Sequence, residues 1–347
     1  MIQHKEELRQ LTQRWLNRKK LTNLSLSLSQ KEDDWNFVAG DFQKNPSYFI
    51  ASTTKLFITA LFLQLQAEGR LDLDDRIAKY LEDSILHKLH VWKGKDYSHE
   101  ISIKHLLSQT SGLADYFEQG PKGQESLRDQ LMAGKDRSWE LSDVLKLAKS
   151  TGAQFSPAYK RKALYSDTNF QLLGHLLEVI LDQDLSTIIA ERISRPLQME
   201  HTFLFTDPND QTPVPLQYKR LPLKIPQAMA SFGPDGGIVS TSKDMLRFIK
   251  AFFDGQLFPV DDVNALKDWR KIFFPLQYGI GLARFRLPRI FTPFSPSPEW
   301  IGHSGVSGAF AFYYPQKELY LTGTVNEIHP SSLPFQLMVK LTNIIES

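Results

Sequence analysis

The sequence contains no cysteine among its 347 residues. This absence excludes disulfide bonds, thiolate metal sites, iron–sulfur clusters and a cysteine nucleophile. An excess of one charge is missing too, because 41 Lys and Arg face 39 Asp and Glu and leave a formal net charge of +2. Nucleic-acid binding needs a basic face that releases counterions. We therefore expect no nucleic-acid partner.

Long apolar runs are also missing. The longest, 56–63, is interrupted by Thr59, whereas a helix that crosses a bilayer needs about 20 apolar residues. No membrane span is predicted. The first 20 residues carry charge throughout and contain no apolar core of a signal peptide. The sequence thus predicts a cytoplasmic protein, or a chain whose leader has been removed.

Strand patterns occur at both ends of the chain. Residues 24–28 alternate with period two, which predicts a half-buried strand with 35–41 as its hairpin partner. Further short strands are predicted at 237–240, Trp300–Ser304, Ala309–Tyr314 and 319–325. This order predicts an α/β (α+β) fold, with one sheet domain built from residues 1–69 and 231–347. Residues 70–230 are predicted to form a mainly helical inserted domain.

Helical patterns lie at the N-terminus, through the middle and at the C-terminus. Apolar residues at helical spacing predict helices over Lys5–Lys19, 142–149, 168–181, 184–195, 244–253 and from about Pro334. The segment 56–65 is apolar nearly all round and is followed by Gly69, so this helix should be buried on every side. Four prolines and three arginines over 284–298 predict a long loop.

Serine followed three residues later by lysine occurs twice, at Ser52–Lys55 and at Ser240–Lys243. Helical positions i and i+3 share one face, so either pair can form a hydrogen bond. A lysine base must also be neutral, which requires burial or a neighbouring cation to lower its pKa. Lys55 opens the fully apolar helix, whereas Lys243 opens an amphipathic one. The sequence favours Ser52 as a nucleophile, with a helix N-cap as its alternative, and predicts that Ser240 belongs to a strand-to-helix turn.

Five sequence blocks then follow one another in the order of a known family. They are YFIASTTK (48–55), IKHLLSQTSGL (103–113), YSDTNFQLLG (165–174), GGIVST (236–241) and GHSG (302–305). Together they resemble the serine beta-lactamase superfamily, and in particular its class C beta-lactamase, penicillin-binding-protein and family VIII carboxylesterase branch. The resemblance implies an antiparallel sheet flanked by helices, an inserted all-helical domain and a site in the cleft between them.

The resemblance also implies roles for individual residues. Ser52 would be the acylated nucleophile, Lys55 its base partner and Tyr165 a relay for protons. The backbone N–H groups of Ser52 and Val306 would form the oxyanion hole. The remaining matched positions would contact substrate: Asp167, His303, Ser304 and Gly305. No cofactor and no metal ion are implied.

Two positions depart from the family's best-known pattern. Asp167 stands where asparagine usually donates to a substrate carbonyl, and an ionised carboxylate only accepts and would repel that carbonyl. His303 stands where lysine is usual, and a histidine that is cationic near pH 6.5 can still hold Tyr165 deprotonated or bind a substrate carboxylate. Both changes favour esterase or D-amino-acid peptidase activity over efficient lactam hydrolysis.

The predicted function is a serine hydrolase that forms an acyl-enzyme with small esters, amides or lactams. The alternative is a catalytically attenuated penicillin-binding-type protein that binds a peptidoglycan-like ligand or a partner protein. Two weaker interpretations are Ser304 as the nucleophile of an elbow-like turn and a metal site of His87, His90 and His99. The sequence favours a solvated surface for these histidines and a simple turn for 233–237.

Overall fold

The computed structural model describes residues 4–31, 33–286 and 298–346. Its α-helices span Lys5–Lys19, Thr54–Ala67, Asp83–Leu86, Ile103–Leu107, Leu127–Met132, Leu141–Thr151, Asp167–Leu181, Leu185–Ile189, Pro226–Phe232, Ser242–Asp254, Val260–Ala265 and Leu333–Glu346. Its strands span Leu24–Gln30, Asp33–Ala39, Tyr48–Phe49, Val91–Trp92, Lys95–Asp96, Phe203–Leu204, Gln217–Tyr218, Leu221–Pro222, Ile238–Ser240, Arg270–Phe273, Leu276–Tyr278, Ala283–Phe285, Trp300–Ser304, Ala309–Tyr314 and Leu319–Thr324.

Eight of the strands within the described ranges form one antiparallel sheet. Its order starts at Arg270–Phe273, runs through the successive C-terminal strands to Leu319–Thr324, and continues with the N-terminal hairpin of Leu24–Gln30 and Asp33–Ala39. The two ends of the chain meet where Leu28 pairs with Leu321. The predicted sheet from both termini, and with it the α/β fold with an antiparallel sheet, is confirmed.

The first strand is buried on both faces, so its prediction as half-buried is wrong. Its leucines pack into one core with the N- and C-terminal helices. Its serines meet the helix Ser242–Asp254 on the other face, where the hydroxyls of Ser25 and Ser27 each lie 2.9 Å from the Ser242 hydroxyl. Hydrogen bonds satisfy the buried hydroxyls of Ser25 and Ser27, which lowers the cost of placing these serines inside the protein.

The helix Thr54–Ala67 is almost fully buried, as its apolar sequence predicts. Leu56, Phe57 and Leu61 have no exposed surface, and the Phe57 ring stacks on Phe248 at 3.8 Å between centroids. Each such side chain contributes roughly 1.5–3 kcal/mol by leaving water. The helix is therefore a fixed support for the residues at its N-terminus.

The other helix predictions are confirmed to within a few residues at each end, with one change. The segment 184–195 is an α-helix only over Leu185–Ile189 and continues as a π-helical turn, Ala190–Ser194. Helices are the most frequent regular elements between residues 70 and 230, with short strands among them, whereas the inserted helical domain and its boundaries stay a prediction. Arg284, placed in a loop by the sequence, lies in the strand Ala283–Phe285. The rest of that loop, 287–297, lies outside the described residues.

None of the helices in the described ranges is long and apolar enough to cross a membrane.

Candidate active site

Ser52 lies where a short strand turns into the buried helix. The strand Tyr48–Phe49 pairs with Ile238–Ser240, and one 3-10 turn over Ala51–Thr53 leads into the helix Thr54–Ala67. Ala51 has a φ of 45°, a left-handed conformation that costs a residue with a Cβ about 1–3 kcal/mol and is frequent at functional sites. Ser52 is half-buried in a cavity wall. The N-cap alternative is wrong, because Thr53 holds that position.

Lys55 lies one helical turn beyond Ser52 and has no exposed surface. Its Nζ forms an ion pair with Asp167 Oδ1 at 2.7 Å and donates to the Asp235 carbonyl at 2.6 Å. Burial lowers the pKa of Lys55, as its apolar helix predicts, but the charge and hydrogen bond of Asp167 oppose this effect, and the pKa lies above its usual value. The expectation of a lysine neutralised by burial is therefore wrong, and the resting Lys55 is a cation.

Tyr165 connects Ser52 to this ion pair. Its side chain interacts with that of Ser52, and its ring centroid lies 5.2 Å from Lys55 Nζ. Burial, together with the charge of Asp167, raises the pKa of Tyr165 well above 10, although the contact with Ser52 opposes this. The Tyr278 ring packs edge-on against Tyr165 at 5.8 Å between centroids. The structure thus brings Ser52, Lys55 and Tyr165 together, with Tyr165 as a neutral phenol.

The end of strand Trp300–Ser304 lies directly beside the Ser52 turn. A Cβ on Gly305 would come within 2.3 Å of the Ile50 carbonyl oxygen, so glycine is needed for this close approach. Ser307 Oγ donates to the Phe49 carbonyl at 2.8 Å and fixes the loop. The Val306 amide has no hydrogen-bond partner in the described part of the chain. Val306, Ser304 and Gly305 all line the cavity that contains Ser52. The oxyanion-hole role of Val306 and the substrate contacts of Ser304 and Gly305 stay predictions.

His303 lies in the wall beside Tyr165 but is held neutral. Its Nδ1 donates to the Ser304 carbonyl at 2.8 Å, so the neutral ring accepts at Nε2 from the Tyr278 hydroxyl at 3.3 Å. Burial and the nearby Lys55 charge lower the pKa of His303 from 6.5 to about 3. The expectation of a histidine that is cationic near neutral pH is wrong, because this ring is only 3% exposed.

Two buried carboxyl groups at the site were missed by the sequence analysis. Asp235, in the segment read as a simple turn, accepts at Oδ2 from the Tyr116 hydroxyl at 2.8 Å and from Gln171 Nε2 at 2.9 Å. Asp115 accepts at Oδ1 from the Asp167 amide at 3.0 Å, and burial with the Asp167 charge raises the pKa of Asp115 to about 8. The only sequence signal was an aspartate directly before the Gly236-Gly237 block.

The cavity has a volume of about 940 Å³. Its polar end is formed by Ser52, Tyr165, Asp167, Asp235 and His303. The rest of its wall contains many apolar side chains, with polar residues such as Glu118 and Arg128 between them; the apolar residues include Phe117, Leu131, Met229, Phe232, Phe273 and Phe285. This shape is typical of a small-molecule site, where a few polar groups orient a ligand that is otherwise held by apolar contact.

The weaker alternatives do not fit the structure. Ser304 ends a strand that returns as another antiparallel strand, whereas a nucleophile elbow joins a strand to a helix. His90 is fully buried and its Nε2 donates to the Phe155 carbonyl at 2.9 Å, so its placement on a solvated surface is wrong. His87 and His99 are exposed. No group of three or more acidic or histidine side chains in the described ranges is arranged to hold a metal ion.

Comparisons with known proteins give matches of three kinds: a curated relative, solved structures and a family model. A curated relative from Escherichia coli (strain K12), described as "Putative D-alanyl-D-alanine carboxypeptidase", is 33% identical over 156 residues, which is 45% of this chain and 33% of that protein. The chain therefore matches only about a third of that relative's length. A D-stereospecific amidohydrolase from Streptomyces sp. has a similar structure, with a TM-score of 0.75, 24% identity and coverage of 94% of this chain and 96% of the other.

A second structure, D-amino acid amidase from Ochrobactrum anthropi SV3 complexed with L-phenylalanine amide, gives a TM-score of 0.77 at 21% identity and covers 98% of this chain and 100% of the other. These structural matches show the fold. A family model described as Beta-lactamase matches residues 37–336. The resemblance stated from the five sequence blocks is thereby confirmed, and the chain belongs to the beta-lactamase family of hydrolases.

Proposed function

We propose that this chain is a serine hydrolase that acts on small esters or amides through an acyl-enzyme formed at Ser52. The observation that carries the proposal is the continuous contact from Ser52 through Tyr165 to the Lys55–Asp167 ion pair at the polar end of one cavity. A nucleophile, a proton relay and a buried proton acceptor within contact of one another are what acyl transfer requires.

The ion pair supplies the base in two steps. In the resting state Lys55 holds its proton, because the charge and hydrogen bond of Asp167 oppose the effect of burial and the pKa of Lys55 lies above its usual value. When Lys55 loses that proton to solvent, it becomes a neutral amine. The amine then accepts the proton of Ser52, either directly or as Tyr165 gives up its own proton and takes that of Ser52.

Ser52 Oγ attacks the substrate carbonyl as it loses its proton, and the carbonyl oxygen becomes an oxyanion. The backbone N–H groups of Ser52 and Val306 are proposed to stabilise this charge. When the intermediate collapses, the alcohol or amine leaving group takes a proton back through Tyr165. A water molecule then repeats the sequence on the acyl-enzyme and releases the acid.

The cavity supports a substrate with an apolar acyl part. Its walls offer aromatic and aliphatic side chains, and the similar structures include a D-stereospecific amidohydrolase and a D-amino acid amidase. We therefore propose short aromatic esters and amino-acid amides as first substrates, ahead of lactams.

The test is covalent labelling followed by turnover. The wild-type protein, Ser52→Ala and the control Ser240→Ala are treated with a fluorophosphonate, and the intact mass is measured. We expect one adduct on wild type and on Ser240→Ala, and none on Ser52→Ala. Hydrolysis of p-nitrophenyl esters and of D- and L-amino-acid amides should fall at least about 10,000-fold in Ser52→Ala alone. A folded wild type with neither adduct nor turnover would favour the catalytically attenuated binding protein.

A further inference from the structure

At and directly behind the polar end of the cavity, buried carboxyl groups outnumber buried lysines. Lys55 has no exposed surface, and Asp115, Asp167 and Asp235 are exposed by 2%, 7% and 2% respectively. Only Asp167 pairs directly with the lysine. Because an uncompensated buried carboxylate is costly, a cluster of three carboxyls and one lysine retains at least one proton.

The hydrogen bonds indicate which carboxyl holds this proton. Asp115 accepts from the backbone N–H groups of Phe117, Glu118 and Asp167, and these three donors partly oppose the burial that raises the pKa of Asp115 to about 8. Asp235 has no backbone donors of this kind. Both of its hydrogen bonds, from Tyr116 and Gln171, reach the same oxygen, Oδ2. The direction of the Gln171 bond is fixed, since the same Nε2 also donates to the Phe232 carbonyl.

The second oxygen of Asp235 is the natural place for the proton. Oδ1 makes no hydrogen bond to the described residues, and Asp235 lies in the wall of the cavity that contains Ser52. Its backbone carbonyl receives Lys55 Nζ, and the following Gly236 lies against the Ala51 backbone. Asp235 is therefore held beside the nucleophile with one oxygen unused by the protein.

The charged and titratable groups around Asp235 support an uncharged state. Asp167 faces it from the helix Asp167–Leu181, Lys55 from Thr54–Ala67, and Tyr116 and Tyr165 from the intervening loops. Burial raises the pKa of Asp235 well above its usual value, Asp167 raises it further, and Lys55 only partly opposes this.

We propose that Asp235 is an uncharged hydrogen-bond donor whose carboxyl O–H binds a carbonyl oxygen in the acyl part of the substrate. This inference rests on the proposed function, because it needs an acyl group delivered to Ser52. Asp235 would thus donate the hydrogen bond to the substrate carbonyl that Asp167 cannot donate while it is paired with Lys55. It also selects a class of substrate: acyl groups with a second carbonyl, such as an N-acylamino acid, near the scissile bond.

Three p-nitrophenyl esters with the same phenylpropanoyl frame test the proposal. They carry hydrogen, an acetamido group or an ammonium group at the α-carbon, and both enantiomers of the last two are used. KM and kcat are measured for wild type, Asp235→Ala and Asp235→Asn. An asparagine amide occupies the same space and donates a hydrogen bond without a charge.

We expect Asp235→Ala to raise KM for the acetamido ester on the order of 10- to 100-fold, as loss of one buried hydrogen bond does. The hydrogen-substituted ester, which offers no second carbonyl, should change far less. Asp235→Asn should restore most of the KM lost in Asp235→Ala. This pattern distinguishes a donor from a group that only fills space.

Two results would overturn the inference. One is an equal KM change for the acetamido and hydrogen-substituted esters in Asp235→Ala. The other is a loss confined to the ammonium ester that Asp235→Asn does not restore, which would make Asp235 an anionic receptor. Fluorophosphonate labelling of Ser52 is measured in the same samples. Absence of labelling in wild type refutes the proposed function itself, whereas normal labelling with either result above refutes only the role of Asp235.

Discussion

The two Ser-x-x-Lys segments of this protein are neighbours in space and differ in almost every property that matters for chemistry. Tyr48, before the first, pairs directly with Ser240 of the second. Ser52 is half-buried in the cavity wall, whereas Ser240 is fully buried and its hydroxyl lies 2.7 Å from that of Thr202. Lys55 is buried in an ion pair, whereas Lys243 is exposed.

The difference shows that the spacing alone does not fix the geometry of the pair, because Ser240 ends a strand and Lys243 lies in the helix that follows. The surroundings of each pair decide its chemistry. In the first segment the lysine meets carboxyl groups brought by distant parts of the chain. In the second, Thr241 caps the helix by accepting from the Asp244 amide at 3.1 Å, and the lysine points to water. The predicted strand-to-helix turn at Ser240 is confirmed.

Matched removal of the two lysines should give the largest contrast. Lys55→Met leaves Asp167 buried without its cation, which we expect to cost about 3–5 kcal/mol of stability, and it removes the base, which should lower kcat about 100- to 10,000-fold. Lys243→Met should change stability by less than about 0.5 kcal/mol, as surface substitutions do. Urea unfolding and ester hydrolysis measure both effects.

A double variant separates the two effects of Lys55→Met. Adding Asp167→Asn removes the unpaired carboxylate, so most of the lost stability should return while the rate stays low. If the double variant is no more stable than Lys55→Met, the ion pair is not the source of the loss.

Elements with a strong local pattern were predictable from the sequence. The helix Lys5–Lys19 and the strand Trp300–Ser304 have the predicted bounds, because their apolar periodicity is local. The positions of the candidate residues Ser52, Lys55 and Tyr165 followed from short motifs. The charge states were not predictable, because the partners of Lys55 lie more than 100 residues away in sequence. His90 and Asp235 were placed wrongly or missed for the same reason: burial by remote segments leaves no local pattern.

Substituting Asp167 should test the contrast between Lys55 and Lys243 by changing the pKa of Lys55. The Asp167 carboxylate raises the pKa of Lys55, so Asp167→Asn lowers it and makes the neutral amine available at lower pH. The rising limb of kcat/KM against pH should therefore move toward lower pH in Asp167→Asn. Glu118→Gln is the control, because it removes an exposed carboxylate of the same cavity and should leave the limb in place. An unmoved limb in Asp167→Asn would show that Lys55 does not control the rate.

His303, in the cavity wall near the Ser52 segment, should make the stability of the protein depend on pH. Its pKa is about 3 in the folded protein and 6.5 in the unfolded chain, so the unfolded state binds the proton more tightly. The stability due to neutral His303 is present above about pH 6.5 and is lost as the pH falls toward 3. In urea unfolding, the stability of wild type relative to His303→Asn should therefore fall across this range. A constant difference would contradict the neutral, buried ring.

The smallest effect concerns the two threonines that directly follow Ser52 and Ser240 and occupy the N-cap positions of the helices. Thr241 accepts the Asp244 amide and caps its helix, whereas Thr53 occupies the same position without a side-chain cap, and its buried hydroxyl has no partner in the described part of the chain. Valine has the shape of threonine without the hydroxyl. Thr241→Val should cost about 1 kcal/mol, as loss of a cap does, whereas Thr53→Val should be neutral or slightly stabilising, because it removes an unsatisfied buried group. Equal losses in urea unfolding would mean that the Thr53 hydroxyl is bonded after all. The predicted inequality instead means that the chain tolerates a poorer helix start beside Ser52, where the backbone is shaped by the turn that presents the serine to the cavity.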